Sequence, residues 1–101
     1  MGTSTASVQP QVYHASPTGY VPALAGIVRK TMGVGAHTLL AEFKLAKGAV
    51  IPAHSHPQEQ TGYLVSGHLR FTIARVEHGV TVLEDSVAVE VFSPVRDDYR
   101  P

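Results

Sequence analysis

The sequence predicts a small all-β protein, a sandwich or barrel of short strands, and three observations support this fold class. After His37, apolar and polar residues alternate, which places Leu39, Ala41 and Phe43 on one face of a half-buried strand. Glycines recur along the chain at the spacing of strands and turns. No segment repeats apolar residues at helical spacing for three turns, so a helical fold is not expected.

The chain divides into an arm and one domain. Residues 1–22 are rich in Ser, Thr, Gly, Pro and Gln, and we expect an arm there with one short strand at 11–14. Residues 23–101 then form a single barrel domain, because a chain of 101 residues is too short for two hydrophobic cores.

The remaining elements are predicted from short apolar or β-branched runs between turn residues. Strands are expected at residues 49–52, 62–65, 69–73, 80–83 and 87–92. Lys47-Gly48 and Ser66-Gly67 are predicted turns, and residues 84–86 are predicted to separate the last two strands. The chain is expected to leave the sheet at Pro94.

Composition excludes several classes of protein. Eight basic residues balance eight acidic ones, so the chain lacks the positive field of a non-specific nucleic-acid binder or a polybasic membrane arm. No apolar run approaches the roughly 18 to 20 residues of a membrane span, and the N-terminus does not resemble a secretory signal, so we expect a cytoplasmic protein. Without cysteine there is no disulfide, thiolate ligand or thiol nucleophile. The six histidines are the notable feature that remains.

Two of these histidines have the spacing of metal ligands. His54 and His56 project from the same face of a strand, unless Pro57 interrupts it. Adjacent imidazoles suit a divalent transition metal such as Zn, Ni, Mn or Fe. The third ligand is either Glu59, which would give the facial triad of a non-haem iron site, or Gln60, which leaves the ion its full charge. The alternative is a pair of surface histidines without a metal.

The context of the pair favours the metal. The string Gly48-x5-His54-x-His56-x3-Gln60-x6-Gly67 resembles the first motif of the cupin family, with Gln60 where most members carry glutamate. The resemblance extends from about residue 26 to residue 96. It implies a small double-stranded β-helix, or jelly-roll, barrel with one metal at its mouth.

The second cupin motif is shortened. Val76-Glu77-His78-Gly79 resembles the end of this motif, which implies that His78 is the fourth metal ligand; the alternative places it at a hairpin tip. The preceding hairpin of roughly 15 to 20 residues is missing. A barrel that lacks a hairpin has unpaired strand edges, which pair readily with another chain. We therefore expect a homodimer, with or without strands exchanged between subunits.

The residues around the histidines also resemble one cupin subgroup. His-Ser-His-Pro-Gln-Glu-Gln-Thr-Gly-Tyr is similar to the pectin-degradation cupins that open unsaturated uronic-acid rings. The resemblance implies that Glu90, which is aspartate in those enzymes, transfers a proton and that Arg96 binds a substrate carboxylate. It also places Phe92 at the substrate, and we assign Tyr63 to the lining of the barrel there.

Two functions follow as hypotheses. The first is a metal-dependent isomerase or lyase acting on a small sugar acid, and the second is a cupin that binds a metal or small ligand without turnover. Arg29 and Lys30 either reach an anionic substrate or form a solvated pair beside an irregular Gly-rich stretch. The other histidines are expected to be structural or solvated: His14, His37 and His68.

Overall fold

The computed structural model describes residues 16–75 and 77–100. The strand expected at 11–14, and His14 with it, lies outside the described residues. The elements within these residues are β1 (Val21–Leu24), β2 (Ile27–Val34), β3 (Leu39–Leu45), β4 (Val50–His54), β5 (Glu59–Ala74), β6 (Glu77–Ser93) and a short 3-10 helix (Asp97–Tyr99). Within the described part of the chain, no helix has the length and apolar character needed to cross a membrane.

All strand pairs are antiparallel, and β6 lies at the centre of the sheet. The C-terminal half of β6 pairs with β3, its N-terminal half pairs with β4, and β5 pairs with it along the whole length. The strands β1 and β2 extend the sheet beyond β3. The result is a curled half-barrel, and its radius of gyration of 14.9 Å exceeds the roughly 13 Å of a compact domain of this length. This confirms the predicted all-β fold class.

The two longest strands were each predicted as two short ones, and that prediction was wrong. The chain does not reverse at Ser66-Gly67; β5 continues through register shifts there, and Gly67 has a φ of 101°. Residues 84–86 likewise remain within β6. A turn signal here produces bulges rather than a reversal, because β5 and β6 stay paired on both sides of it.

The Gly-rich stretch that was expected to be irregular is instead strand β2. Arg29 pairs with Phe43, and Ile27 pairs with Leu45, so Ile27 and Arg29 share the concave face of the sheet. Gly33 follows a register shift in this strand. The first strand begins at Val21, close to the predicted end of the arm.

Two small apolar clusters form the core on the concave face. The first contains Ile27, Leu45, Val80, Val82 and Ala88, and the second contains Leu39, Ala41 and Phe92. The predicted parity of β3 is confirmed, since Leu39, Ala41 and Leu45 are buried. The same face of β5 is uncovered, however, and Phe71 and Ile73 are among the exposed apolar residues.

The hairpin between β5 and β6 is very short. Ala74 pairs with Glu77, and Arg75 in the turn has a φ of 58°. His78 therefore lies in a strand and not at the hairpin tip. Among the described residues, β5 pairs only with β6, which leaves its outer edge without a partner strand, as expected for a barrel that lacks a hairpin.

Candidate metal centre and cavity

Three histidines from two separate segments of the chain meet at the concave face of the half-barrel. His54 ends β4 and is directly opposite His78 of β6, and their rings are 4.4 Å apart. His56 lies beyond the end of β4, so strand alternation does not orient it, yet its ring is 5.6 Å from His54 and 5.5 Å from His78. One nitrogen from each ring lies within 4.8 Å of the other two. A single ion can contact atoms this close together.

Backbone hydrogen bonds determine which ring nitrogens are available. His54 Nδ1 is 2.9 Å from the carbonyl oxygen of Pro52, and His56 Nδ1 is 2.9 Å from that of Gln58. Because a carbonyl oxygen only accepts, each Nδ1 carries the proton and donates it. The Nε2 atoms of the neutral rings then hold the lone pairs, which is how protein histidines are usually oriented toward a metal.

Gln60 completes the cluster. Its Oε1 is 2.8 Å from His56 Nε2. Two lone pairs face each other at this distance unless a proton or a cation lies between them. The arrangement therefore fits a metal ion held by three imidazoles and one amide oxygen. Glu59 pairs with Ser93, one register position from the pair of Gln60 with Phe92, so it projects from the opposite face of the sheet.

The electrostatics of His78 suit a neutral ligand. Burial, followed by the neighbouring His54 and His56, lowers the pKa of His78. A metal binds the unprotonated imidazole, so a lowered pKa keeps His78 in the form that a metal requires.

Glu90 lies next to this cluster on the same face. It is directly opposite Gly62 in the ladder, and a Cβ at position 62 would fall 1.8 Å from Glu90 Oε2. The carboxylate thus occupies the space that a side chain at position 62 would fill. Burial raises the pKa of Glu90, and a hydrogen bond from the Gln60 amide opposes part of that rise. The absence of a side chain at Gly62 accommodates the extra methylene of glutamate relative to aspartate.

An open cavity of about 510 Å³ extends from the histidines along the concave face. Phe92 forms part of its wall; the ring is buried and lies 6.0 Å from His56 in an edge-on arrangement. Tyr63 is 72% exposed and borders a second, more open cavity along β5, which Gln60, His78 and Glu90 also border. The structure thus brings Phe92 to the histidines, whereas Tyr63 pairs with Val89, one register position from the pair of Gly62 with Glu90, and so projects from the opposite face of the sheet.

The C-terminal segment closes one end of the cavity. Arg96 lines the cavity and donates to both carboxylate oxygens of Asp98, from Nε at 3.2 Å and from Nη2 at 2.9 Å. The Tyr99 ring packs against Phe92 and Phe43, at 5.3 and 6.1 Å. Asp98 and Tyr99 also line the cavity, and sequence analysis missed both. The sequence feature that could have indicated these residues is Tyr99, an aromatic residue in a largely polar C-terminal tail.

The two other described histidines lie apart from the cluster. His37 and His68 are both exposed, and neither belongs to the group of converging ligand atoms. The backbone N–H of His68 donates to Ser86 Oγ at 3.0 Å, next to the register shifts of β5.

This chain belongs to the cupin family: the sequence profile described as the cupin domain matches residues 41–91, half of the chain. Among solved structures, KdgF from Halomonas sp. has a TM-score of 0.77 at 25% identity, and the match covers 89% of this chain and 100% of that one. The chain therefore resembles the KdgF type of cupin.

More distant structures support the fold alone. An RmlC-like cupin from Shewanella frigidimarina has a TM-score of 0.77 at 20% identity, covering 91% of this chain and 97% of that one. Rhodobacter sphaeroides SigE in complex with the anti-sigma ChrR matches with a TM-score of 0.65 at 12% identity, over 74% of this chain and 48% of that one. No curated protein matches the sequence at a significant level.

Proposed function

We propose that this protein is a metal-dependent cupin that opens or isomerises the ring of a small unsaturated sugar acid. The observation that supports this most is the arrangement of Glu90 beside the Gln60 amide, in a cavity where three histidine nitrogens converge. The similarity to KdgF from Halomonas sp. agrees with it.

The proposed ligands of one divalent transition metal are the residues whose donor atoms converge: His54, His56, Gln60 and His78. The metal supplies Lewis-acid polarisation of a substrate oxygen. An amide ligand adds no negative charge, so an ion held by Gln60 polarises that oxygen more strongly than one held by a carboxylate.

The remaining residues act on the substrate side of the site. Glu90 moves the proton, because its carboxyl group is half-buried next to Gln60 and faces the cavity. Arg96 donates to substrate oxygens through the N–H groups that Asp98 does not occupy. Phe92 provides an apolar wall, and the proposed contact of Tyr63 with the substrate is at the rim of the second cavity.

Turnover of an unsaturated uronate by metal-loaded protein tests this function. Loss of the conjugated alkene absorbance reports the reaction. Glu90→Gln should lower the rate at least about 100-fold and leave the bound metal unchanged, since a positioned acid or base contributes roughly that much or more. His37→Ala is the control, because His37 is exposed and lies outside the cluster. Equal rates for Glu90→Gln and the wild type would contradict the proposed role.

The second candidate is a cupin that binds a metal or small ligand without turnover. The openness of the half-barrel favours it, because an uncovered cavity excludes water poorly. Bound metal without turnover of any uronate would support this candidate over the enzyme.

We further propose that the protein forms a homodimer through the uncovered side of β5. This strand is 16 residues long, and the apolar residues on it are solvent-exposed, Ile73 at 73% and Phe71 at 57%. The accessible surface of 6878 Å² exceeds the roughly 5,500 Å² of a compact chain of this mass. A second copy, with or without exchanged strands, would cover the face and pair the free edge. The zero net charge opposes association little.

Analytical ultracentrifugation tests the dimer. We expect the wild type to sediment as a dimer and Ile73→Lys to raise its dissociation constant at least about tenfold, because a charge would replace an apolar contact. Val50→Lys is the matched control, since Val50 is 53% exposed but lies on β4. A wild-type protein that stays monomeric at all concentrations would exclude this assembly.

The cytoplasmic location remains a prediction, which cell fractionation tests.

A further inference from the structure

Arg29 occupies an unusual place for a charged residue. It lies on the concave face of β2, where its neighbours on the same face are Ile27 and Thr31 and its cross-strand partner is Phe43. The side chain is half-buried and lines the same cavity as the histidines. Arginine is rarely placed on the core side of a strand without a partner, so its contacts need an explanation.

Arg29 is not paired with a carboxylate side chain among the described residues, although, against the opposing effect of burial and with the stronger effect of Arg96, its charge lowers the pKa of Asp98. The Arg29 guanidinium stacks on the Tyr99 ring at 4.1 Å, and Nη2 donates to the backbone oxygen of Asp98 at 3.1 Å. One N–H is occupied, while a guanidinium offers five.

Arg96 differs from Arg29 in this respect. Its guanidinium is also 4.1 Å from the centre of the Tyr99 ring, so the two arginines share this ring. The forked edge of Arg96, however, is filled by the carboxylate of Asp98. Of the two guanidiniums in the cavity, Arg29 is therefore the one whose fork is open to an anion.

We propose that Arg29 binds the carboxylate of the substrate and that Tyr99 positions the guanidinium for it. This inference deepens the proposed function and rests on it for the class of substrate, a small sugar acid. The carboxylate would form paired hydrogen bonds with Arg29, a geometry that guanidinium and carboxylate match closely. The ring oxygens of the sugar acid would then extend toward the histidine end of the same cavity.

Titration calorimetry with two sugars tests the proposal: D-galacturonate, which carries a carboxylate, and D-galactose, which does not. Metal-loaded wild type should bind galacturonate more tightly. Arg29→Gln should weaken galacturonate binding by about tenfold, the usual worth of a charged hydrogen bond, and leave galactose binding and metal content unchanged. Arg29→Lys keeps the charge but not the forked guanidinium. Its affinity for galacturonate should therefore lie between those of the wild type and Arg29→Gln.

Lys30→Gln is the matched control. Lys30 follows Arg29 in β2 but projects from the opposite face, where its Nζ donates to Ser16 Oγ at 2.9 Å. Its removal should leave both affinities unchanged. Equal affinity of the wild type for the two sugars, or equal effects of Arg29→Gln and Lys30→Gln, would overturn the proposal.

The outcomes separate this inference from the proposed function. If the protein prefers galacturonate through Arg29 but does not turn over an unsaturated uronate, the carboxylate site stands and the enzymatic function fails. If uronate turnover depends on Glu90 and Arg29→Gln changes no affinity, the function stands and the site fails.

Discussion

Gly62 and Glu90 are directly opposite each other in the β5–β6 ladder, and the carboxylate of Glu90 lies over the backbone of Gly62. A methyl group at position 62 would fall 1.8 Å from Oε2 and 2.3 Å from the carboxyl carbon. The position of the proposed proton-transferring group therefore depends on a missing side chain on the neighbouring strand.

Gly62→Ala should displace the Glu90 carboxyl group and lower uronate turnover by about 100-fold, close to the effect of Glu90→Gln, with metal content unchanged. Gly35→Ala is the control, because a Cβ there would make only an ordinary contact, 3.5 Å from Thr38 Oγ1. Steady-state rates and elemental analysis measure both quantities. Full activity in Gly62→Ala would show that the position of Glu90 does not matter.

The histidine cluster predicts which substitutions remove the metal. His54→Ala and His78→Ala should each weaken metal binding at least about 100-fold, beyond the roughly 10- to 100-fold of residues that only hydrogen-bond to a ligand. His68→Ala should have no effect, since His68 lies outside the cluster. Elemental analysis of tag-free protein purified without chelators provides the measurement. Equal metal content in the three variants would exclude the proposed centre.

Substitution of glycine by alanine should lower the free energy of unfolding by different amounts at two glycines with positive φ. Gly67 has a φ of 101°, and a Cβ there would fall 2.1 Å from Ser86 Oγ, whereas Gly48 has a φ of 88° and no atom within 4 Å of such a Cβ. Gly48→Ala should cost about 1–2 kcal/mol through backbone strain. Gly67→Ala should cost about 2–4 kcal/mol, because overpacking adds to that strain. Urea denaturation compares the two, and equal costs would show that Ser86 yields freely.

Tyr20 predicts a loss of stability at high pH. Its hydroxyl donates to Glu42 Oε1, and this hydrogen bond, with burial and the Glu42 charge, raises the pKa of Tyr20 from 10.0 to about 12. The fold thus favours the neutral phenol. The preference of the fold for the neutral Tyr20 contributes fully to stability below pH 10, and this contribution is lost as the pH rises toward 12.

Tyr20→Phe removes this contribution. The difference in unfolding free energy between wild type and Tyr20→Phe should be largest below pH 10 and should shrink as the pH approaches 12. Urea denaturation at several pH values measures it, and a difference that is constant with pH would refute the assignment. The ultraviolet titration of Tyr20→Phe should also lack the tyrosine with a pKa of about 12.

Much of the local structure was predictable from short-range patterns. Alternation in β3 correctly placed Leu39, Ala41 and Leu45 in the core. Turn signals were less reliable: Ser66-Gly67 produced a bulge within a long strand, since the continuous pairing with β6 outweighed the local preference of the glycine. In β2, the pairing with β3 likewise continues past Gly33, with a register shift between Thr31 and Gly33.

By itself, the sequence determined the fold class, the family and the histidines to consider, because strand periodicity and motif spacing are local properties of the chain. Only the tertiary structure decided which residues meet. The sheet register placed His54 opposite His78 and Gly62 opposite Glu90, and the returning C-terminal segment brought the Tyr99 ring to the Arg29 guanidinium. Such contacts join residues that are far apart in the chain, so they depend on the register and curvature of the whole sheet.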